Sequence, residues 1–527
     1  MNATSAWPNV PQMVRSSVER FGLHEAVADG EVRLSFDDLG RRVDRAAHAV
    51  VAAGIEPGDR VAVWAPNLHE WIEAALGALS AGAVLVPINT RFKGREAGYL
   101  LEKTRARLLF TVSGFLDLDY VGMLREAGVE VERTVALRGH GPGTTEWPDF
   151  LDEGRGVPGA EVERRSAAIG PDDLSDIIFT SGTTGRPKGV MTTHGQTLRV
   201  FETWSDIVGL REGDRYLVAN PFFHTFGYKA GFLAAIMRGA TTIPHAVFDA
   251  TQVMERIAQE RVTVLPGPPT LYQSILNHPE RDRHDLSSLR LAVTGAAVVP
   301  VELVRRMREE LTFDTILTAY GLTEATGTAT MCRRGDDPET VAHTSGRAIP
   351  DTDVRVVDDQ GHAQPLGRPG EVLVRGYNVM RGYFEEPELT AEALDRDGWL
   401  HTGDVGVMDD RGYLRITDRT KDLFIVGGFN VSPAEVENEL LAHPSVAQVA
   451  VVGAPDDRLG EVGVAFVVPR PGAACDPGDL IAWARERMAN FKVPRRVEVV
   501  ETLPLNASGK VLKFELRERA AGLVAAR

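Results

Sequence analysis

From about residue 60, short runs of apolar and β-branched residues alternate with stretches whose apolar positions recur every three to four residues. The runs are "RVAVWAP", "LHEWIEAALGALSAG", "AVLVPIN", "KGREAGYLLEKT" and "RLLFTVS". The alternation continues through "RYLVAN", "KAGFLAAIMRG", "ATTIPHA", "TQVMERIAQE", "VTVLPGPP", "LRLAVTGAA" and "PVELVRRMREEL". Helices placed between short continuous apolar strands predict mostly parallel sheets covered by helices, an α/β fold. Ligands on such sheets gather at the carboxyl ends of the strands.

After about residue 340 the pattern changes to short strands with glycine turns, "TDVRVVDDQGHAQPLGRPGEVLVRG" and "DRGYLRITDR", which predict an antiparallel β subdomain. Beyond "TKDLFIVGGFN" a smaller α+β unit is expected. It comprises helix "SPAEVENELLAHP", strands "VAQVAVVGAPD" and "VGVAFVVPR", helix "PGDLIAWARERM" and strand "RRVEVVETL". Ser432, with Pro433 first in the helix and Glu435 third, predicts a capping box. No internal repeat or low-complexity tract interrupts this order. The longest apolar stretch, "AALGALSAGAVLVPI", is shorter than the ~20 residues of a membrane helix. Gly77, Ser80 and Gly82 interrupt it, so it reads as a buried helix, a turn and a strand. The amino terminus has no basic patch before an apolar run, and no signal peptide is expected.

At 527 residues the chain exceeds one core and should form at least two domains. Its 43% hydrophobic and 25% charged residues are those of an ordinary globular protein. A net charge of -16 argues against a nucleic-acid partner, because that binding needs basic surface. Cys332 and Cys475 form no metal-spaced pair, which fits a reduced cytoplasmic setting.

The segment "FTSGTTGRPKGVM" follows two strand-like isoleucines, Ile177 and Ile178, and cannot pack a core. Its glycines let the backbone approach a ligand closely, while hydroxyls, N–H groups and Lys188 supply donors and charge. That combination suits phosphate. It is not a P-loop of the Gly-Lys-Ser/Thr type, since Lys188 follows Pro187 and precedes Gly189, and this excludes a P-loop kinase.

Five segments occur in order: "TSGTTGRPKG" (180–189), "AYGLTE" (319–324), "HTGD" (401–404), "DRTKDLFIVGGFNVSP" (418–433) and "PLNASGK" (504–510). Together, and over nearly the whole chain, they resemble the adenylate-forming superfamily of acyl-CoA synthetases, coumarate-CoA ligases, luciferase and peptide-synthetase adenylation domains. The resemblance implies a large AMP-binding domain over 1–418, a hinge at 419–422 and a small mobile domain over 423–527. It also implies the substrates ATP and coenzyme A, with Mg²⁺.

Carried over by motif, Thr180, Ser181, Gly182, Thr183, Thr184, Gly185 and Lys188 would hold the β- and γ-phosphates. Gly295, Ala296 and Ala297, with Tyr320 and Gly321, would form the adenine slot. Thr323 would donate to the α-phosphate and Glu324 would hold the metal, because Mg²⁺ takes one or two carboxylates plus phosphate oxygens. Asp404 and Arg419 would meet the ribose. Lys510 would bridge the attacking carboxylate and the α-phosphate, two anions that otherwise repel. Lys421 would mark the hinge, and Gly427, Gly428 and Phe429 would line the path of the pantetheine arm after rotation. Standing alone, most of these are ordinary features: Tyr320 a core residue, Asp404 a turn, Arg419 and Lys421 solvated charges.

The implied reaction makes acyl-AMP and pyrophosphate, then thioester and AMP, with no enzyme nucleophile. "NPFFHTFGYKAG" (220–231) resembles the start of the family's acyl pocket, with His224 at its mouth and Phe226, Tyr228, Lys229 and Ala230 near the acyl group. It lacks the acid that peptide-synthetase domains use to hold an α-ammonium. The stretch 89–111 is similar to bacterial fatty-acyl-CoA ligases, and "FFHTFGYKAG" to actinobacterial ligases for the indane-type propanoate left by steroid-ring degradation. The acid is therefore expected to be a fatty or ring-bearing alkanoic acid. An unpaired ammonium against hydrocarbon is costly, so Lys229 is expected either to face solvent or to meet an oxygen on the substrate. An acyl-AMP ligase delivering to a carrier protein shares all five motifs. A nucleotide sensor on this fold would be expected to lack Lys510, Glu324 or Asp404, and all three are present. A homodimer is among the arrangements the chain allows.

Overall fold

The computed structural model describes the chain except for residues 1–4, 181–185, 296–298, 300, 359, 420–423, 471, 505–510, 512 and 526–527. Two compact units emerge. One comprises Met1–Thr90, Leu100–Ile178 and Gly189–Asp418; the other comprises Arg91–Tyr99, Phe179–Lys188 and Arg419–Arg527.

An eight-stranded sheet runs in the order Gly382–Tyr383, Lys188–Thr193, Leu174–Thr180, Val84–Pro87, Arg60–Trp64, Leu108–Val112, Arg133–Arg138, Thr145–Glu146. From Leu174–Thr180 onward the neighbours pair in parallel. The strand Leu108–Val112 is buried at every position, as a sheet covered on both faces requires. One covering helix, His69–Ser80, is buried from His69 through Leu79. It packs so closely on Phe36–Ala52 that a Cβ on Gly77 would lie 2.5 Å from that of Ala46. This sheet is therefore the mostly parallel one that the alternating pattern predicts.

A second sheet has the order Arg215–Val218, Thr241–Pro244, Glu25–Asp29, Val32–Ser35, and a third the order Leu291–Gly295, Thr315–Tyr320, Thr330–Met331, Arg347–Ala348. The expected strand in "VTVLPGPP" is not a strand. Only Val264 bridges Tyr216 on one side and Leu291 on the other. Pro266, Pro268 and Pro269 follow at once, and without N–H groups they end the ladder. The glycine-rich stretch after residue 350 forms the expected antiparallel sheet, Thr352–Val357, Gly370–Gly376, Leu400–Met408, Leu414–Arg419.

In the second unit the order is Phe429–Val431, Phe424–Val426, Gly460–Pro469, Val446–Asp456, with Arg496–Val499 parallel to Gly460–Pro469. Successive residues of the long hairpin alternate between two cores, as the two-residue period of a strand dictates. Val451, Ala465 and Val467 face Val436, Leu440, Leu480 and Ala484, whereas Ala450, Val452, Val464 and Phe466 face Leu516 and Ala520. Burying one such leucine contributes about 1.5–3 kcal/mol. Leu516 and Ala520 belong to the helix Lys513–Ala525, absent from the sequence reading, which covers the second face. Ser432 caps Pro433–Leu441 by accepting from the Glu435 N–H at 3.3 Å.

Candidate functional site

The parallel strands Leu291–Gly295 and Thr315–Tyr320 are in register, with Gly295 opposite Ala319, so Gly295 and Tyr320 emerge at the same sheet edge. Ala296 and Ala297 lie outside the described residues. The chain then doubles back. A Cβ on Gly321 would lie 2.1 Å from the Gly327 carbonyl oxygen, so only glycine fits this return. Thr326 takes a left-handed φ of 52°, and its hydroxyl donates to the Asn378 carbonyl at 2.7 Å. The buried Asn378 amide donates to the Thr328 carbonyl at 2.9 Å, fastening both ends of the loop.

That loop carries Thr323 and Glu324 on the single turn Thr323–Ala325. The Tyr383 hydroxyl donates to Glu324 Oε1 at 2.9 Å. Burial and the adjacent Glu324 carboxylate push the Tyr383 phenol well above its ordinary value, so it remains a proton donor. Tyr383 stands on Gly382–Tyr383, paired antiparallel to Val190 and Met191, and the Phe384 N–H donates to the Gly189 carbonyl at 2.7 Å. Glu324 is thus held from the strand that follows the glycine-rich segment. Sequence reasoning missed Tyr383 and Asn378, because neither lies in a recognisable motif.

Asp404 lies on Leu400–Met408 and accepts from the Tyr320 hydroxyl at 2.6 Å through Oδ2. The "HTGD" segment of that strand is fixed by Glu371, which contacts His401 Nδ1 at 3.0 Å and accepts the Gly403 N–H at 3.1 Å. The Thr402 hydroxyl donates to the Val372 carbonyl at 2.7 Å and accepts the Asp404 N–H at 3.1 Å. The structure therefore brings Tyr320 and Asp404 into direct contact.

His224 is exposed and opens the turn Thr225–Gly227; its Nδ1 accepts the Phe226 N–H at 3.5 Å. Phe226 is half-buried, while Tyr228, Lys229 and Ala230 are buried in the π-helical stretch Tyr228–Leu233. Tyr228 packs against Trp71 and Phe232, with ring centroids 6.0 and 5.3 Å apart. Lys229 does not take the solvent-facing position that was one of its two expected placements. It is 1% exposed, so it does not face solvent, and its Nζ lies 2.8 Å from Asp176 Oδ1 and donates to Thr192 Oγ1 at 2.8 Å. The protein itself supplies, in Asp176, a partner for the ammonium where the sequence reading looked to solvent or to a substrate oxygen. Burial holds the Lys229 ammonium below the ordinary lysine value, against the pull of Asp176. An aspartate inside the apolar strand "LSDIIFT" was the available signal, since a buried acid calls for a buried base.

Thr180 ends Leu174–Thr180 and Lys188 begins Lys188–Thr193, both half-buried; Ser181, Gly182, Thr183, Thr184 and Gly185 between them lie outside the described residues. In the second unit, Gly427 and Gly428 form the two-residue turn of a hairpin, at φ 56° and 86°, where two left-handed residues match the strand twist. Phe429 stacks on Phe491 with centroids 4.6 Å apart. Arg419 ends Leu414–Arg419 with its side chain outside the described residues, as are Lys421 and Lys510.

Among the described residues, Asp29, His69 and Glu70 form a group able to surround a metal ion. Arg138 already serves it, donating to Asp29 Oδ2 at 2.6 Å and Glu70 Oε1 at 2.8 Å. Among the same residues no helix is long and apolar enough to cross a membrane.

The family model for AMP-binding enzymes matches residues 14–384, and that for the AMP-binding enzyme C-terminal domain matches residues 435–510. The chain is 52% identical, over 96% of its length and 98% of the relative's, to a 3-[(3aS,4S,7aS)-7a-methyl-1,5-dioxo-octahydro-1H-inden-4-yl]propanoyl:CoA ligase of Rhodococcus jostii. It is 50% identical to the ligase of the same name from Mycobacterium tuberculosis, over 97% and 98% of the two chains. The solved structure of amide bond synthetase McbA from Marinactinospora thermotolerans matches with a TM-score of 0.85 at 29% identity, over 97% of this chain and 100% of that one.

Proposed function

The chain belongs to the AMP-binding enzyme family and is an AMP-forming acyl-CoA ligase, and on that premise we propose that its acid is a propanoate borne on a fused, ketone-bearing ring system. The observation that carries this reading is identity of 50–52% across nearly the full length of two ligases named for such a substrate. The site is consistent with it. Lys229, the cation in the acyl-pocket segment, is neutralised by Asp176, which leaves that segment no net charge to offer a ring system that has none.

In this reading Tyr320 covers the adenine, Asp404 and Arg419 take the ribose hydroxyls, and Thr180 through Gly185 with Lys188 hold the outer phosphates. Thr323 donates to the α-phosphate as the acid's carboxylate, admitted past His224, attacks phosphorus in line. Lys510 lies between the two anions and stabilises the charge that builds up as they approach. Glu324 is the residue that would hold Mg²⁺. A carboxylate held in place by a hydroxyl donor suits a hard cation that completes its shell with phosphate oxygens. When bound there, the ion would offset the negative charge on the triphosphate. Rotation at 419–422 then exchanges Lys510 for the Gly427–Gly428–Phe429 face, and the CoA thiol displaces AMP. The free cysteines Cys332 and Cys475 support a cytoplasmic setting for the reaction.

Purified protein supplied with 3-(7a-methyl-1,5-dioxo-octahydroinden-4-yl)propanoate, MgATP and CoA should yield thioester, AMP and pyrophosphate. Its kcat/KM should exceed that for a straight-chain acid of equal carbon number by roughly a hundredfold, the scale of several misfitted pocket contacts. Equal or reversed preference would overturn the substrate assignment. Transfer to an acyl-carrier protein but not to CoA would overturn the acceptor.

A further inference from the structure

Lys229 sits in a π-helical stretch, a rare geometry that collects at functional sites. Its ammonium closes a ring of three groups. It donates to Thr192 Oγ1 at 2.8 Å, that hydroxyl donates to Asp176 Oδ1 at 2.6 Å, and Asp176 Oδ1 lies 2.8 Å from Nζ. Asp176 Oδ2 accepts the Ser175 hydroxyl at 2.6 Å, and Lys229 and Asp176 are 1% and 0% exposed. The members come from three places. Asp176 is on the strand Leu174–Thr180 that runs toward residue 181, Thr192 is on the strand Lys188–Thr193 that leaves residue 185, and Lys229 follows His224 and Phe226.

Stability alone gives no reason for this arrangement, because a well-packed apolar set is commonly as stable as a fully buried ion pair. What a buried, hydroxyl-completed pair does provide is one fixed geometry. We propose that Lys229 is a positioning residue that locks the acyl-pocket segment to both strands flanking the phosphate-binding segment, so that nucleotide affinity depends on a side chain that touches no substrate. The inference rests on the ligase reading above.

The test uses the full chain and a non-hydrolysable ATP analogue with Mg²⁺, followed by calorimetry. Lys229→Met alone strands a buried carboxylate and is expected to unfold readily, so the decisive variant is Lys229→Met with Asp176→Asn, neutral and close to isosteric. That double variant should melt near the wild-type temperature, yet bind the analogue roughly tenfold to a hundredfold more weakly, the cost of small misplacements. Its kcat/KM should fall equally for ring-ketone and straight-chain acids. Wild-type affinity in the folded double variant would overturn the proposal, as would a loss confined to the ketone-bearing acid, which would put the ammonium on the substrate. If wild-type protein itself does not bind the analogue, it is the ligase reading that fails.

Discussion

The Tyr320 hydroxyl donates to Asp404 Oδ2 at 2.6 Å, joining residues 84 positions apart that lie in different sheets. The ring proposed to cover adenine and the carboxylate proposed to take the ribose are therefore one unit, and each fixes the other's orientation. Tyr320→Phe keeps the ring and loses this bond to a charged group, worth about 1.5–3 kcal/mol. Since the bond orients rather than reacts, KM for ATP should rise while kcat changes little. Tyr320→Ala, which also loses stacking, should be worse by about 1–3 kcal/mol. Steady-state pyrophosphate release checks both, and identical kinetics for the two variants would show that the ring does not meet the base.

Glu324 and Tyr383 give the metal prediction. Glu324→Gln preserves shape and removes the charge, so acyl-AMP formation should fall on the order of a hundredfold or more. The Mg²⁺ concentration giving half-maximal rate should rise. Tyr383→Phe releases one hydrogen bond to the carboxylate and should cost roughly tenfold, with a smaller shift in the Mg²⁺ requirement. A magnesium titration that is unchanged in Glu324→Gln would remove this residue from the metal site.

The two half-reactions should separate by mutation. Lys510→Ala should collapse adenylation by about 3 kcal/mol, yet form thioester from supplied acyl-AMP and CoA at near wild-type rate. Lys421→Pro, which fixes φ at the proposed hinge, should release pyrophosphate once per site and then stall with acyl-AMP bound. Single-turnover pyrophosphate release, read beside thioester formation, distinguishes them. Equal loss of both steps in both variants would count against rotation.

Stability should depend on His194. Its ring is 2% exposed, Nδ1 accepts the Val10 N–H at 3.3 Å, and burial pushes its pKa down to about 4 from 6.5. The folded imidazole stays neutral while the unfolded one titrates, so between these values the unfolded chain binds more protons. This contribution is fully present above pH 6.5 and is lost as pH falls toward 4, by about 3 kcal/mol at most. Melting curves across that range should slope less in His194→Asn, and parallel curves would refute the assignment.

Much of this protein could be read along the chain. Alternating apolar runs gave the parallel sheets, Ser432 with Pro433 marked a helix start, and five short motifs pointed to an adenylating ligase, because such signals are local: period, cap and loop chemistry are set by residues a few positions apart. Where reading failed, the cause was non-local. "VTVLPGPP" has the composition of a strand, but its prolines allow only two bridges, and the helix Lys513–Ala525 is explained by the second face of a hairpin it must cover. Lys229 seemed to need solvent or a substrate oxygen until the sheet order placed Asp176 and Thr192 against it. Tyr383 reaches Glu324, and Tyr320 reaches Asp404, across 59 and 84 residues. Motifs specify which side chains can do the chemistry, but a side chain's partner depends on strand order and crossover connections, which no local pattern encodes, so only the tertiary structure decided which charges are neutralised and which are held ready for ligand.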